Sequence, residues 1–442
     1  MENDDLFGRL KDDFICCQIL SFMPTRDSVS TCVLSKRWES LWQKVPALYF
    51  KSDRNFRGFQ FAASIDRVMA RQQGEGLTKF TLDCRASDCQ HWQCEIWIAE
   101  AIERKVEHMN VVLYGTALTA IETSRRWFPE CLVRSATLVT LNLGYCVLPS
   151  FDGDVCLPAL KVLSLEQVRH TGEQAFMDLV HGSPLLEELT FDGFSADRCS
   201  KLSLNNVKTL NMDLLAQIPS RILGFSIQIT APKLVSLKLK ACVSSRILFH
   251  KVEALVTAVV LIDKKHEIPL HPSIFGMVDS LSFVEDMTLM VNLKLHRPSG
   301  NTSIRTFNNC TKLVLDVDWT LMSNLLQCAE RLESLLIRNI FARKREWANP
   351  TEVPKCMLWS LKTVIFDQFV CTFADMSFIQ YVLQNSKVLE MMDVHFDEAE
   401  EALEEDSDDE DGNQAWILTT KERIDFFEQE SKACKVTYSC GI

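Results

Sequence analysis

The sequence predicts an α/β chain: a short run of three helices at the N-terminus, then a solenoid of repeated strands lying in one curved parallel sheet. Three observations carry this reading. Apolar residues recur at helical spacings between Asp12 and Gln43, a three-point apolar pattern recurs through most of the remaining chain, and several of its copies share a proline-bearing lead-in. At 442 residues, 47% hydrophobic and 24% charged, the chain has room for about three domains of roughly 150 residues, enough to bury a core without metal or disulfide staples.

In the helical segment the apolar positions group as Ile15, Ile19 and Phe22, then Val29, Cys32 and Val33, then Trp38, Leu41 and Trp42. Met23-Pro24 stops the first helix. Thr25 or Asp27 is placed to cap the second and Ser35 the third, which carries Lys36 and Arg37 in its first turn and ends at Val45-Pro46. About forty residues cannot bury all of these side chains internally, so part of the cluster is expected at an interface.

The repeat is Leu-x-x-Leu-x-Leu, with starts at Leu77, Val106, Leu138, Leu160, Leu186, Val207, Leu234, Val256, Val284, Cys310, Leu332, Leu361 and Leu389, 21 to 32 residues apart. Three matches in six positions arise often in an apolar chain, so the punctuation matters. Leu157-Pro158-Ala159, Ser183-Pro184-Leu185 and Ala231-Pro232-Lys233 each precede a copy, as a proline that ends one element before a strand should. Glu173 to His181, with Phe176, Leu179 and Val180 on one face and Gly182 behind it, reads as a helix between two strands. Strand, helix, strand at this period is a leucine-rich repeat. The asparagine or cysteine usual after the strand is mostly absent, Cys146 and Cys242 coming nearest, so irregular turns and variable convex segments are expected. Stacking buries the apolar side of every unit, and the polar x positions should line one continuous concave face.

The net charge of -12 is local: residues 397–411 hold eleven acidic and no basic side chains, a self-repelling tract expected to be a disordered insertion. The rest is near neutral, without the basic footprint of a nucleic-acid binder. No apolar run is long enough to span a membrane. The acidic start Met1-Glu2-Asn3-Asp4-Asp5 is unlike a secretory signal, so the seventeen cysteines are expected to be reduced and mostly core, in a nuclear or cytoplasmic protein. Cys84, Cys89, His91 and Cys94 are zinc-type donors, but the spacing lacks paired Cys-x-x-Cys knuckles, so packing or loop thiols are expected and no metal or other cofactor. Arg343-Lys344-Arg345 is a short basic run and Ser407 a site with acidic residues downstream. No Walker loop, Gly-x-Ser-x-Gly elbow or His-Glu-x-x-His helix is present, so a non-catalytic role is expected.

The run Ile19-Leu20-Ser21-Phe22-Met23-Pro24-Thr25, with Val33-Leu34-Ser35-Lys36-Arg37-Trp38 and Leu41-Trp42, resembles the F-box of plant F-box proteins. F-boxes usually open with a Leu-Pro pair; here Leu10 is followed by Lys11, and the stretch from Leu10 to Ile19 is one residue longer. Near the C-terminus Trp347-Ala348-Asn349-Pro350, Val353-Pro354-Lys355-Cys356, Ser360-Leu361-Lys362-Thr363 and Tyr381-Val382-Leu383-Gln384-Asn385-Ser386-Lys387 resemble an FBD domain. The chain thus resembles the F-box/leucine-rich-repeat/FBD family, with an F-box at 8–50, irregular repeats at 70–344 and an FBD at 345–442 that continues the stack. Its final helix is expected near Lys421 to Gln429, with Thr419 and Glu422 as a capping box, and its last strand near Lys435 to Tyr438.

The resemblance implies a substrate-recognition subunit of an SCF-type ubiquitin ligase, docking on a Skp-type adaptor and through it on cullin and RING subunits, with a protein target held by the repeats. The adaptor-binding residues it implies are Leu10, Ile15, Ile19, Leu20, Pro24, Val29, Val33, Leu34, Trp38 and Trp42. Several of these could equally hold the three helices together, Ile19, Trp38 and Leu41 above all, since a helical apolar stripe is more often core than interface. Two other readings stand beside it: an interaction scaffold with a degenerate F-box, and a zinc- or nucleic-acid-associated nuclear protein built on Cys84 to Cys94 and Arg343 to Arg345.

Overall fold

The computed structural model describes residues 10–52, 58–74, 76–85, 87–114, 128–151, 155–170, 173–192, 200–214, 226–242, 246–263, 273–291, 306–317, 319–338, 347–369, 371–396 and 410–440. The acidic tract up to residue 409, Ser407 within it, and Arg343 to Arg345 lie outside the described residues. Contacts divide the chain into two compact units, Met1–Ser200 with Asn211–Gln217, and Lys201–Leu210 with Ile218–Ile442. No described helix is long and apolar enough to cross a membrane.

The first unit opens with α1 (Asp12–Gln18), α2 (Thr25–Ser30) and α3 (Trp38–Leu41), joined and extended by 3-10 turns at Leu20–Phe22, Thr31–Val33 and Trp42–Lys44. Next come β1 (Ala47–Lys51), α4 (Gly58–Arg71), β2 (Lys79–Arg85), α5 (His91–Glu103), β3 (His108–Tyr114), β4 (Thr140–Gly144), β5 (Val147–Leu148), β6 (Val162–Glu166), β7 (Arg169–His170), α6 (Glu173–His181) and β8 (Glu188–Asp192). Strands β1, β2, β3, β4, β6 and β8 pair in that order, all parallel. Short β5 and β7 pair beside them.

In the second unit β9 (Lys201–Ser203), β11 (Ser226–Thr230) and β13 (Arg246–His250) make a separate three-stranded parallel sheet. The main sheet of this unit runs β12 (Ser236–Cys242), β14 (Thr257–Asp263), β15 (Asp286–Val291), β16 (Lys312–Asp316), β17 (Ser334–Arg338), β18 (Thr363–Phe369), β19 (Met391–Phe396) and β20 (Lys435–Cys440), again all parallel. Its helices are α7 (Ser273–Ser280), α8 (Trp319–Cys328), α9 (Lys355–Trp359), α10 (Phe373–Asn385) and α11 (Glu410–Asp425). The strand β10 (Thr209–Asp213) has residues in each unit.

Twelve of the thirteen apolar starts stand two residues ahead of a strand. The exception is Val256. Ser236 pairs with Thr257, so the equivalent of Leu234 is Leu255, which is buried with Ala258 and Val260, while Val256 and Val259 are exposed. A one-residue slip exchanges the two faces of a strand, and a run of valines carries no polarity to fix it. Val45, Leu48 and Phe50 supply a further buried copy at β1.

The proline lead-ins are tight turns. Leu160 N donates to Leu157 O (3.2 Å), Leu186 N to Ser183 O (3.1 Å) and Leu234 N to Ala231 O (3.2 Å), with proline second in each, where its fixed φ suits a type I turn. The bond recurs without proline from Leu255 to Val252 and from Leu332 to Ala329. Helix α6 lies as expected over Phe176, Leu179 and Val180. Gly182 behind it is required by proximity, because a Cβ there would stand 2.5 Å from Val155 O. Where an asparagine would serve the turn after the strand, Tyr145 (φ 58°) and Gln167 (φ 49°) take left-handed backbone and donate to Glu166 O and Asp192 O of the next strand.

The C-terminal repeats close around aromatic rings. Trp347 packs edge-on to Trp319 and Phe378 and beside Tyr381, and its Nε1 donates to Asn349 Oδ1 (2.7 Å). Helix α10 carries a capping box in which Asp375 N donates to Thr372 Oγ1 and Thr372 N to Asp375 Oδ2. The last helix begins earlier than the sequence suggested, so Thr419 and Glu422 are interior rather than capping. Tyr438 Oη donates to Asp425 (2.6 Å) and holds this helix to β20.

Candidate adaptor-docking face

Helix α1 starts at Lys11, whose carbonyl accepts from Ile15 N. Lys11 has φ -70° and ψ 148°, a conformation proline adopts, so the departure from a Leu-Pro pair leaves the backbone path there unchanged. Arg37 Nε donates to Asp12 Oδ1 (2.8 Å) and its Nη2 to Leu10 O, clamping the start of α1 to the start of α3. Ser35 caps α3 with its carbonyl, accepting from Trp38 N, and no side chain does so. Thr25 does not cap α2; its hydroxyl accepts from Tyr49 N (2.7 Å), and Ser28 Oγ donates to Leu20 O (3.0 Å).

Ile15, Cys16, Leu20, Trp38, Leu41 and Val45 form the core of this segment, with Leu10, Ile19, Met23 and Ala47 packed against it. Trp42 is buried as well. Of the ten residues implied for docking, Ile15, Leu20, Trp38 and Trp42 therefore hold the helices together, Leu10 and Ile19 lie partly within the same core, and Val29 is half-buried on a cavity of about 630 Å³ shared with Phe50 and Phe61. Pro24, Val33 and Leu34 face outward, Val33 84% and Leu34 64% exposed.

Two exposed apolar residues fall outside that set: Phe22, 81% exposed, and Phe14, 50% exposed. Phe22 lies on the stripe that the α-helical period directs inward, but the helix ends at Gln18 and the 3-10 turn of Leu20–Phe22 rotates it out while burying Leu20. The same turn geometry at Thr31–Val33 exposes Val33. A helical reading carried no sign of either break. Four large apolar side chains are thus exposed within one stretch of about twenty residues, each able to contribute roughly 1.5 to 3 kcal/mol when covered.

The open side of each main sheet is the other candidate surface. In the first unit Tyr49, Thr81, Asn110, Asn142, Ser164 and Thr190 are cross-strand partners in one row, and His108 Nδ1 lies 3.1 Å from Thr140 Oγ1 on the row beside it. At the carboxyl ends of these strands the tilted rings of Tyr114 and Tyr145 lie 5.2 Å apart, and burial with Asp192 and Asp83 nearby raises the Glu166 carboxyl above its ordinary value. In the second unit the corresponding row is Lys238, Val259, Thr288, Val314, Leu336, Ile365, Asp393 and Thr437. Its middle is apolar, contrary to the polar x positions expected throughout. Beside it Arg338 bonds Asp367 (3.1 Å), and His395 lies 2.9 Å from Asp393.

Short interrupted helices with outward apolar residues are thus followed by parallel repeat strands of leucine-rich-repeat type. The F-box family model matches residues 13–48, and the FBD model residues 349–394. An F-box/FBD/LRR-repeat protein of Arabidopsis thaliana is 25% identical, covering 96% of this chain and 97% of the relative. A putative F-box/FBD/LRR-repeat protein of the same plant is 29% identical over 86% and 84%, and an FBD-associated F-box protein 27% over 90% and 92%. The chain thus carries an F-box match and an FBD match and is similar over most of its length to plant F-box/FBD/LRR-repeat proteins.

Proposed function

We propose that this chain is the substrate-recognition subunit of an SCF-type ubiquitin ligase, binding a Skp-type adaptor through the F-box and a target protein through the open sheet faces, in the nucleus or cytoplasm. The observation that carries the adaptor half is the outward set Phe14, Phe22, Pro24, Val33 and Leu34 in a segment most of whose other apolar residues are already committed to its core. F-box domains generally bind Skp-type adaptors. Chemistry then resides on other chains, and this one contributes proximity: a target held near a charged conjugating enzyme reacts as if intramolecular.

Co-purification of the full chain with a plant Skp-type adaptor tests this. Wild type should bind stoichiometrically, and the double change Val33→Asp with Leu34→Asp, which touches only exposed positions, should reduce binding at least about hundredfold, since two buried charges are uncompensated in an apolar groove. Ile15→Asp is expected to fail differently, by unfolding the segment. Folded wild type that ignores the adaptor would sink the proposal.

A further inference from the structure

A cluster of three nucleophilic side chains outside the docking face and the sheet rows joins three elements of the first unit. Cys84 points to the buried side at the end of β2, Cys89 sits in the turn after it, and Cys94 lies in the first turn of α5. Asp88 N donates to Arg85 O, and Asp88 Oδ2 accepts from Arg85 N, fixing that turn. The result is a chain of sulfurs: Cys84 Sγ to Cys89 Sγ 3.4 Å, Cys89 Sγ to Cys94 Sγ 3.2 Å.

Thiolates sharing a tetrahedral zinc, at about 2.3 Å per bond, stand about 3.8 Å apart. These sulfurs are closer, and among the described residues no group of His, Cys, Asp or Glu is arranged to hold a metal ion. Closure to a disulfide of about 2.05 Å needs movement of little more than an ångström. Either sulfur of each contact can donate, but only Cys89 touches both others, so it alone can accept from two thiols at once, an arrangement that holds its own thiol below the ordinary range. The same bonds and burial push Cys84 and Cys94 up. A sulfur in contact with two others has a resolving thiol at hand whichever way it is approached, so its oxidation can end in a disulfide without rearrangement of the fold.

We propose that Cys84, Cys89 and Cys94 form a peroxide-oxidisable site in which Cys89 is attacked first and either neighbour resolves it. The Cys89 thiolate attacks one oxygen of hydrogen peroxide, the O–O bond breaks, and with one proton taken up the products are the sulfenic acid and water. The Cys94 or Cys84 thiol then displaces that hydroxyl, giving a disulfide and a second water. Because Cys89 is common to both pairs, the two disulfides exclude one another, and each ties the Cys89 turn to a different element, α5 or β2.

The test uses the full chain, treated with hydrogen peroxide, denatured, alkylated and digested with trypsin. Cleavage after Arg85 and Arg104 leaves Cys89 and Cys94 on one peptide and Cys84 on another, so the two disulfides are distinguishable by mass. Cys89 should lose alkylation at least about tenfold faster than Cys146 or Cys310, which are buried without a sulfur partner, and Cys94→Ser should redirect the bond to Cys84. Full alkylation of Cys89 in oxidised wild type overturns the site whether or not the variants fold. A Cys84–Cys94 bond persisting in Cys89→Ser overturns the assignment of Cys89.

Discussion

Leu163 and Leu165 in the first unit and Leu335 and Ile337 in the second hold the same buried places in their strands, yet Ser164 stands between the first pair and Leu336 between the second. The apolar spine is shared; the open faces are not. One row carries hydroxyl and amide groups from Tyr49 to Thr190, the other runs Val314, Leu336 and Ile365 in its middle, with Thr288 the one hydroxyl between Val259 and Ile365. Stacking constrains only the inward residue of each pair, so the outward one is left to recognition. A target that uses both faces must itself be polar in one part and apolar in another.

The sharpest way to break this comparison is to truncate inward and outward neighbours. Leu163→Ala and Leu335→Ala should each lower unfolding free energy by about 2 to 5 kcal/mol, whereas Leu336→Ser should stay within about 0.5 kcal/mol by denaturant titration. Leu255→Ala should likewise be far more damaging than Val256→Ala; the reverse order would restore the register read from sequence.

Alkaline titration separates the units next. Burial pushes Cys146 in the first unit, and Cys310 and Cys356 in the second, to about 12 from an ordinary 9.0. The native state keeps these protons while the unfolded chain releases them. Their contribution is therefore complete below pH 9.0 and falls from there by about 1.4 kcal/mol per pH unit for each thiol until the folded values are reached. Replacing Cys310 and Cys356 by Ala should flatten the pH dependence of stability more than replacing Cys146 does; identical slopes would refute the burial argument.

Helix caps give smaller differences. Thr372→Ala should cost the second unit about 1 kcal/mol by removing the capping box of α10, while Gln93→Ala in the first, where a neutral amide accepts from Gln90 N, should cost a few tenths. Thermal melts should show the larger drop for Thr372→Ala; equal drops would refute the difference between the two caps. Smallest in stability, and most informative for recognition, is Leu336→Ser: little change in melting, but loss of a target that uses the apolar row.

Much of this architecture was legible because strand spacing survives in single sequences. Leu138 to Leu143 and Leu160 to Leu165 announce their strands, and α6 falls on Glu173–His181 as its apolar face and trailing glycine predict. What escaped was set by geometry rather than by pattern. The 3-10 turns that expose Phe22 and Val33, the left-handed corners at Tyr145 and Gln167, and the clamp of Arg37 on Asp12 all depend on backbone or partners distant in sequence. The side sheet of β9, β11 and β13 escaped for a different reason: Ile227, Ile229, Ile247 and Phe249 alternate like any repeat strand, and alternation does not say which sheet a strand joins.

Tyr49 serves two neighbours at once. Its amide is bound by the Thr25 hydroxyl of the F-box, and its ring begins the row of open-face side chains. Gln72 Nε2 donating to Val45 O and Gln73 N to Gln43 O add further rivets at the same junction. The F-box segment is thus no pendant on a tether but is fixed to the sheet of the first unit. In a ligase built on this chain, the reach to a target lysine would be measured from that joint, and lysines at the wrong distance would be spared however tightly the target were held.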